Sequence, residues 1–209
     1  MFVVVFMAKL FYIYGAMNCG KTTKLLQTAY NYEERDLKVL IIKPKVDVKG
    51  NDSVVSRLGV SRKVDYLIDE SDSIIDIINN NKDINALLVD EAQFLQKYQV
   101  DELYEITKIN NIPVLAYGLR NDFLMETFTG SQRLLALADE IEELKTICRC
   151  GKKATQNMRL LNGIPVFVGD SILIDDGKSN IVYESVCGEC YIKARKIMGH
   201  KYAKWFKFN

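Results

Sequence analysis

The sequence predicts an α/β protein, a parallel sheet flanked by helices, with a small cysteine-rich module appended at its C-terminal end. Three observations carry this expectation. Over the first 145 residues, short apolar runs alternate with segments of helical composition, the pattern of a parallel sheet with helices on both faces. A glycine-bounded motif, Gly15-Ala16-Met17-Asn18-Cys19-Gly20-Lys21-Thr22, stands between the first apolar run and the first helix. Four of the five cysteines form two close pairs, Cys148/Cys150 and Cys187/Cys190, in a final quarter of different character.

The elements follow in order. Leu10–Tyr14 is a short apolar run rich in aromatics, as a buried strand should be. Gly20 to about Glu34 reads as a helix with Leu25, Leu26 and Ala29 on one face. Leu37–Lys43 is a second strand, stopped by Pro44, and the polar stretch 45–62 is expected to be a mobile loop. Val64–Ile68 is a short strand, and Ser71 is the expected N-cap of a helix reaching about Asn80. Ala86–Val89 is a buried strand ending in Asp90-Glu91. Tyr98 to about Lys108 is a helix, Ile112–Tyr117 a strand closed by Gly118, and Ser131–Ala138 a short amphipathic helix. Beyond Cys148 the β-like runs Ile164–Val168, Ile172–Ile174 and Asn180–Val186 hold too little apolar material for their own core, so a metal is expected to supply the missing stability. The tail from Ile197 to Asn209 is basic and aromatic and expected to be partly disordered. No internal repeat or low-complexity segment interrupts the chain.

Composition narrows the function. Of 209 residues 48% are hydrophobic, and 28 Lys+Arg against 27 Asp+Glu leave a net charge of +1. That balance argues against a nucleic-acid coat or a binder of anionic membranes, both of which rely on excess positive charge. Residues 1–8 are wholly apolar, but Lys9 interrupts the stretch. A spanning helix needs about 20 apolar residues, and a signal peptide carries positive charge ahead of its apolar region. A cytoplasmic protein is therefore expected, with Met7 its natural start. A reducing compartment keeps thiols free, so the paired cysteines point to metal chemistry rather than disulfides.

The motif Gly15 to Thr22 fits G-x-x-x-x-G-K-[ST] without a mismatch. Its glycines let backbone N–H groups approach phosphates, Lys21 places positive charge on the β- and γ-oxygens, and the Thr22 hydroxyl suits Mg²⁺. The following helix offers its N-terminus to the anion. Cys19 reads as a small filler inside this loop. The second acid site is the strand end Asp90-Glu91, continuing through Ala92 and Gln93, which complete the expected ATP- and Mg²⁺-binding set. Strand alternation points the two carboxylates in different directions, so Asp90 suits the Mg²⁺ sphere and Glu91 a general base. Whether the attacking oxygen belongs to water or to an alcohol is open at this point.

The segment Tyr117-Gly-Leu119-Arg-Asn-Asp-Phe123, taken with the phosphate loop, the Val-Asp-Glu-Ala-Gln-Phe strand end and the cysteine pairs, resembles the type II thymidine kinases. The four features run in that family's order from about residue 9 to residue 192. The resemblance implies a P-loop domain with a RecA-like sheet over residues 1–145, a small zinc domain with a substrate-closing loop over 146–196, and the tail 197–209. It implies transfer of the ATP γ-phosphate to the 5′-hydroxyl of thymidine or deoxyuridine, with Glu91 as base. It places Met17, Phe94, Leu119, Phe123, Phe128 and Tyr183 near the nucleoside, and backbone contacts to the base at about residues 172–183. The loop Ile172–Tyr183 here lacks the Gly-Gly pair common in the family. Arg57 matches a position that faces phosphates in some members. A homotetramer and feedback inhibition by dTTP belong to the same implication, with no nucleic-acid or membrane partner.

Cys148, Cys150, Cys187 and Cys190 can form a tetrahedral Cys₄ site for structural Zn²⁺. The second pair has C-x-x-C spacing, the first is one residue shorter, and His200 is the only histidine. Two other readings compete with the nucleoside kinase. A P-loop ATPase working on nucleic acid would need a basic track with stacking aromatics, and only the tail has that flavour. A non-catalytic nucleotide-binding or zinc scaffold would have no use for the intact set of Lys21, Thr22, Asp90 and Glu91.

Overall fold

The computed structural model describes residues 7–47, 52–170 and 180–205. The short run Ile172–Ile174, most of the expected substrate-closing loop and the His200 side chain lie outside the described residues, as do residues 1–6. The chain divides into two compact units. The first comprises Met1–Tyr14, Gly20–Arg120 and Phe128–Leu144; the second Gly15–Cys19, Asn121–Thr127 and Lys145–Asn209. No described helix is long and apolar enough to cross a membrane.

In chain order the larger unit runs β1 (Leu10–Gly15), α1 (Lys21–Glu33), β2 (Val39–Pro44), β3 (Ser53–Val55), β4 (Ser61–Lys63), β5 (Tyr66–Ile68), α2 (Ile74–Asn79), β6 (Ala86–Val89), α3 (Lys97–Glu105), β7 (Val114–Gly118), α4 (Thr129–Leu137) and β8 (Glu140–Leu144). Six strands form one sheet in the order β5-β2-β6-β7-β1-β8. The pairs β5/β2, β2/β6, β6/β7 and β7/β1 are parallel.

Alternation along these strands builds two cores. Leu10 and Tyr12, Leu40 and Ile42, Leu87 and Val89, and Val114 and Ala116 share one face with Ile74 and Ile78 of α2, Val100 and Leu103 of α3, and Leu134 of α4. Ile13, Val39, Ile41, Ala86, Leu88 and Tyr117 share the other with Leu25, Leu26 and Ala29 of α1. A strand covered on both faces needs apolar side chains at every position, which is why Ala86–Val89 reads as a continuous run and is buried throughout.

The structure departs from expectation in places with identifiable causes. The polar stretch 45–62 is not simply a loop, because β3 and β4 pair antiparallel within it and just after it. Val54 is its buried anchor, packed with the α1 core. Helix α2 is capped by Ser73, not Ser71. The Ser73 hydroxyl accepts from the Asp76 N–H at 3.2 Å, and Glu102 of α3 accepts from both the Ser73 hydroxyl and the Ile74 N–H. The Ser73 hydroxyl is a local cap, but the part that Glu102 of another helix adds leaves no trace in local sequence. Helix α3 widens into a π turn over Ile106–Asn110 and stops at Asn111, φ 55. The strand β8, Glu-Ile-Glu-Glu-Leu, was not expected because its composition is acidic. It lies at the sheet edge, where Lys9 pairs with Glu140 and Lys24 with Glu142, each at 2.5 Å; charge on an edge strand discourages further pairing.

The smaller unit contains β9 (Thr146–Ile147), β10 (Lys153–Ala154), β11 (Gln156–Leu161), β12 (Ile164–Val166), β13 (Ile181–Val186) and α5 (Gly188–Trp205). β9 and β10 form a hairpin, while β11 pairs antiparallel with both β12 and β13. α5 carries the chain as helix through the stretch expected to be partly disordered, as far as Trp205. Among the described residues the buried apolar cluster is small: Cys148, Ala154, Val186, Cys187 and Tyr191.

One close approach in the larger unit sets a limit on sequence. A Cβ on Gly130 of α4 would stand 2.5 Å from the Ala92 carbonyl oxygen and 2.9 Å from those of Gln93 and Leu95. These are backbone atoms that cannot swing away. Gly130→Ala is therefore expected to lower the free energy of unfolding by about 1–3 kcal/mol, the usual cost of overpacking, in chemical denaturation monitored by circular dichroism.

Candidate functional site

The carboxyl ends of parallel strands open on one edge of a sheet, where ligands of such folds bind. β1 and β6 are separated only by β7, about 10 Å apart at the usual strand spacing. β1 leads into the motif Gly15 to Thr22, and β6 leads into Asp90-Glu91. Within the motif Asn18 and Gly20 take left-handed backbone angles, φ 64 and 89. Helix α1 then begins at Lys21, with Thr22 in its first turn. Thr23, next in that turn, shares a 2.7 Å hydrogen bond with the Ser56 hydroxyl. This ties the β3–β4 turn, with Arg57 next along it, to the start of α1.

Asp90 and Glu91 occupy different environments. Asp90 is 5% exposed. Burial pushes its carboxyl up to about 7, the neighbouring Glu91 and Asp47 push the same way, and Lys43 opposes them. Lys43, at the end of β2, is itself buried and forms an ion pair with Asp47 at 2.8 Å. A cation at Asp90 would restore its ionised form. Glu91 stands outside the strand in the left-handed region, φ 48, and caps a short 3₁₀ turn over Ala92–Phe94. Its Oε2 accepts from the Gln93 side-chain amide at 2.6 Å. Ala92 and Gln93 are both buried.

The residues expected around a nucleoside fall three to each unit. In the larger one, Phe94 and Phe128 meet edge to face with ring centroids 5.6 Å apart. Leu119 follows β7, its carbonyl accepting from the Tyr12 hydroxyl at 2.8 Å and from the Ser131 hydroxyl at 2.5 Å. Phe94 also lines a cleft of about 330 Å³ at the ends of β2 and β5, with Pro44, Ile68 and Gln99. In the smaller unit, the Met17 N–H donates to Asn157 Oδ1 at 2.8 Å, and its carbonyl accepts from the Ser185 hydroxyl. Asn157 in turn donates to the Asn121 carbonyl at 2.9 Å. Phe123 and Tyr183 both pack on Arg159, whose guanidinium carbon lies 3.6 Å and 5.3 Å from their ring centroids. The Arg159 Nε also donates to the Tyr183 hydroxyl at 2.8 Å.

Sequence reasoning missed Asn157, Ser185 and Arg159. Asn157 and Arg159 alternate on β11 and are both buried. That alternation was readable, but a polar residue on the inner face of a strand announces itself only once the strand pairing is known.

The four cysteines converge in the smaller unit. Cys148 and Cys150 lie in the turn between β9 and β10, Cys187 and Cys190 at the start of α5, and their Sγ atoms all lie within 4.8 Å of one another. A tetrahedral site with metal–sulfur bonds of about 2.3 Å puts sulfurs about 3.8 Å apart, and Cys150 and Cys187 stand at 3.6 Å. The shorter C-x-C spacing is accommodated by a turn in which the Cys148 N–H donates to the Lys152 carbonyl at 2.8 Å. The Cys190 N–H donates to the Cys187 sulfur at 3.4 Å. The Cys150 backbone N–H holds the Cys148 thiol down to about 7, while the sulfurs of Cys150, Cys187 and Cys148 push Cys190 up to about 12. Four sulfurs this close ionise together only around a cation, so the cluster is one that could hold a metal ion.

A family model described as thymidine kinase matches residues 8–191. The thymidine kinase of Enterobacteria phage T4 is 42% identical over 197 residues, 92% of this chain and 100% of that protein. That of Legionella pneumophila (strain Lens) is 47% identical over 182 residues, covering 84% and 86% of the two chains. That of Pasteurella multocida (strain Pm70) is 47% identical over 184 residues, covering 87% and 95%. With the phosphate-loop motif, the paired carboxylates and the four clustered thiols all inside the matched span, the chain belongs to the thymidine kinase family.

Proposed function

We propose that this protein transfers the γ-phosphate of ATP to the 5′-hydroxyl of thymidine or deoxyuridine, giving the nucleoside monophosphate and ADP. The setting would be cytoplasmic salvage of pyrimidine deoxynucleosides for DNA synthesis. The observation that carries this reading is the pairing of two strand ends on one sheet edge, Lys21-Thr22 after β1 and Asp90-Glu91 after β6, in a chain of this family. Gly15, Ala16, Met17, Asn18, Cys19 and Gly20 offer backbone to the phosphates, and Lys21 offers charge. Glu91 accepts the proton of the attacking 5′-hydroxyl. Phe94, Leu119 and Phe128 in the larger unit, and Met17, Phe123 and Tyr183 in the smaller, serve the nucleoside, whose flat π-face suits aromatic and thioether groups.

Thr22 and Asp90 suit Mg²⁺, since a buried carboxylate pressed by neighbouring negative charge is one that a cation stabilises. The ion would neutralise charge on the phosphate oxygens. The four thiols suit a structural Zn²⁺, all four positions being filled by sulfur. We further infer the functional division into residues 1–145, 146–196 and 197–209, a homotetramer, and inhibition by dTTP from the family reading.

Incubation with ATP, Mg²⁺ and thymidine should yield thymidine monophosphate and ADP in equal amounts; ADP without nucleotide product would defeat the reading. Glu91→Gln should lower kcat by about 10²–10⁴-fold, the range for a general base, with ATP affinity nearly unchanged. A loss of only a few-fold removes Glu91 from the base role.

Metal analysis of protein never exposed to chelator should find about one zinc per chain, as one Cys₄ site requires. Cys187→Ser should reduce that content sharply and lower the thermal midpoint. Full metal content in the variant would show that Cys187 is not a ligand.

A further inference from the structure

We propose that Gln93 is the positioning residue for Glu91: it holds the base carboxylate in place and couples it to the backbone of Leu119. The proposal rests on the reading of Glu91 as general base and adds what keeps it aimed.

Gln93 is 2% exposed and lies in the 3₁₀ turn directly after Glu91. Its side-chain Nε2 donates to Glu91 Oε2 at 2.6 Å, and its Oε1 accepts from the Leu119 N–H at 3.0 Å. Each end of the amide faces a partner of one kind only. A carboxylate can only accept, and a backbone N–H can only donate. The reversed amide would set oxygen against oxygen and NH₂ against N–H, so the orientation follows from the partners. The amide is also locked by packing. A Cβ on Gly118, the last residue of β7, would stand 2.9 Å from Gln93 Oε1 and 3.1 Å from its backbone nitrogen. The absence of a side chain there is what lets the amide lie against β7.

The arrangement answers a mechanical problem. Glu91 has left the strand, and its left-handed backbone aims the side chain without restricting its outer torsions. A carboxylate on rotatable bonds meets the attacking hydroxyl productively only if something restricts it, and a displacement of about 1 Å can cost 10²-fold in rate. Gln93 supplies the restriction from a buried position on one oxygen, Oε2. Because the same amide is bound to the Leu119 N–H, the base takes its position from β7 as well as from β6.

The test uses three single variants of the protein, Gln93→Met, Gln93→Glu and Glu91→Gln, and one double variant. Gln93→Met keeps the volume and removes both polar ends. Gln93→Glu keeps an acceptor for the Leu119 N–H but replaces the donor with a second carboxylate facing Glu91. If Gln93 positions the base, both Gln93 variants should lose kcat by about 10–10²-fold, and in Gln93→Glu, which keeps the acceptor for the Leu119 N–H, KM for thymidine stays within about threefold. Gln93→Glu should be the slower of the two. Gln93→Met in a Glu91→Gln background should be no slower than Glu91→Gln alone, because the lost interaction acts through Glu91. If Gln93 serves only to fix Leu119, the order reverses: Gln93→Glu stays near the parent rate and Gln93→Met raises KM for thymidine. That result overturns the proposal, as does a parent-like kcat in Gln93→Met while Glu91→Gln is impaired. A parent-like kcat in Glu91→Gln overturns the base reading itself and the proposal with it. Should Gln93→Met fail to fold, Gln93→Glu alone decides: a parent-like kcat overturns the proposal and a large loss at constant KM upholds it.

Discussion

Everything in the larger unit follows from burying parallel strands on both faces. Once β2, β6, β7 and β1 lie side by side, their alternate residues are committed to two helical layers, and neither face is available to a ligand. Chemistry is left with the edge where the strands end. Polar and charged groups gather there: Lys43 next to last in β2 with Asp47 beyond it, Asp90 and Glu91 after β6, Leu119 and its bound amide after β7. Burial raises the Asp90 carboxyl at this boundary, and the neighbouring Glu91 and Asp47 push the same way.

Much of this was legible in the chain because the relevant signals are local. A continuous apolar run means a strand covered twice, and Ala86–Val89 matched its strand to the residue. A motif whose glycines and lysine have fixed spacing needs only a strand before and a helix after, and both are present. What escaped is what depends on pairing. β8 is too acidic to resemble a strand and exists because β1 offers it an edge. Ser73 rather than Ser71 caps α2 because Glu102, far along the chain, completes the cap. Asn157 and Arg159 look like ordinary polar strand residues until β13 lies beside β11. The roles of Gln93 and Gly118 belong to the same class, being written in the fit between two strand ends.

The smaller unit follows a different economy. Among the described residues its buried apolar cluster is slight and includes Cys148 and Cys187, while Cys150 is exposed, so the sulfur cluster joins that core to the surface. Around it, cohesion comes from side-chain hydrogen bonds to backbone, such as Asn157 to the Asn121 carbonyl and the Tyr191 hydroxyl to the Phe123 carbonyl at 2.6 Å. Such bonds are directional where apolar packing is not.

The backbone of Glu91 carries a consequence for how this protein can change over time. A side chain with a Cβ in the left-handed region costs about 1–2 kcal/mol relative to an ordinary conformation, and glycine would occupy the position freely. Selection for stability alone would therefore erode the very residue on which the chemistry is proposed to turn. Lineages that keep the activity must tolerate a small permanent strain at this turn, while copies released from catalysis can gain stability by losing it.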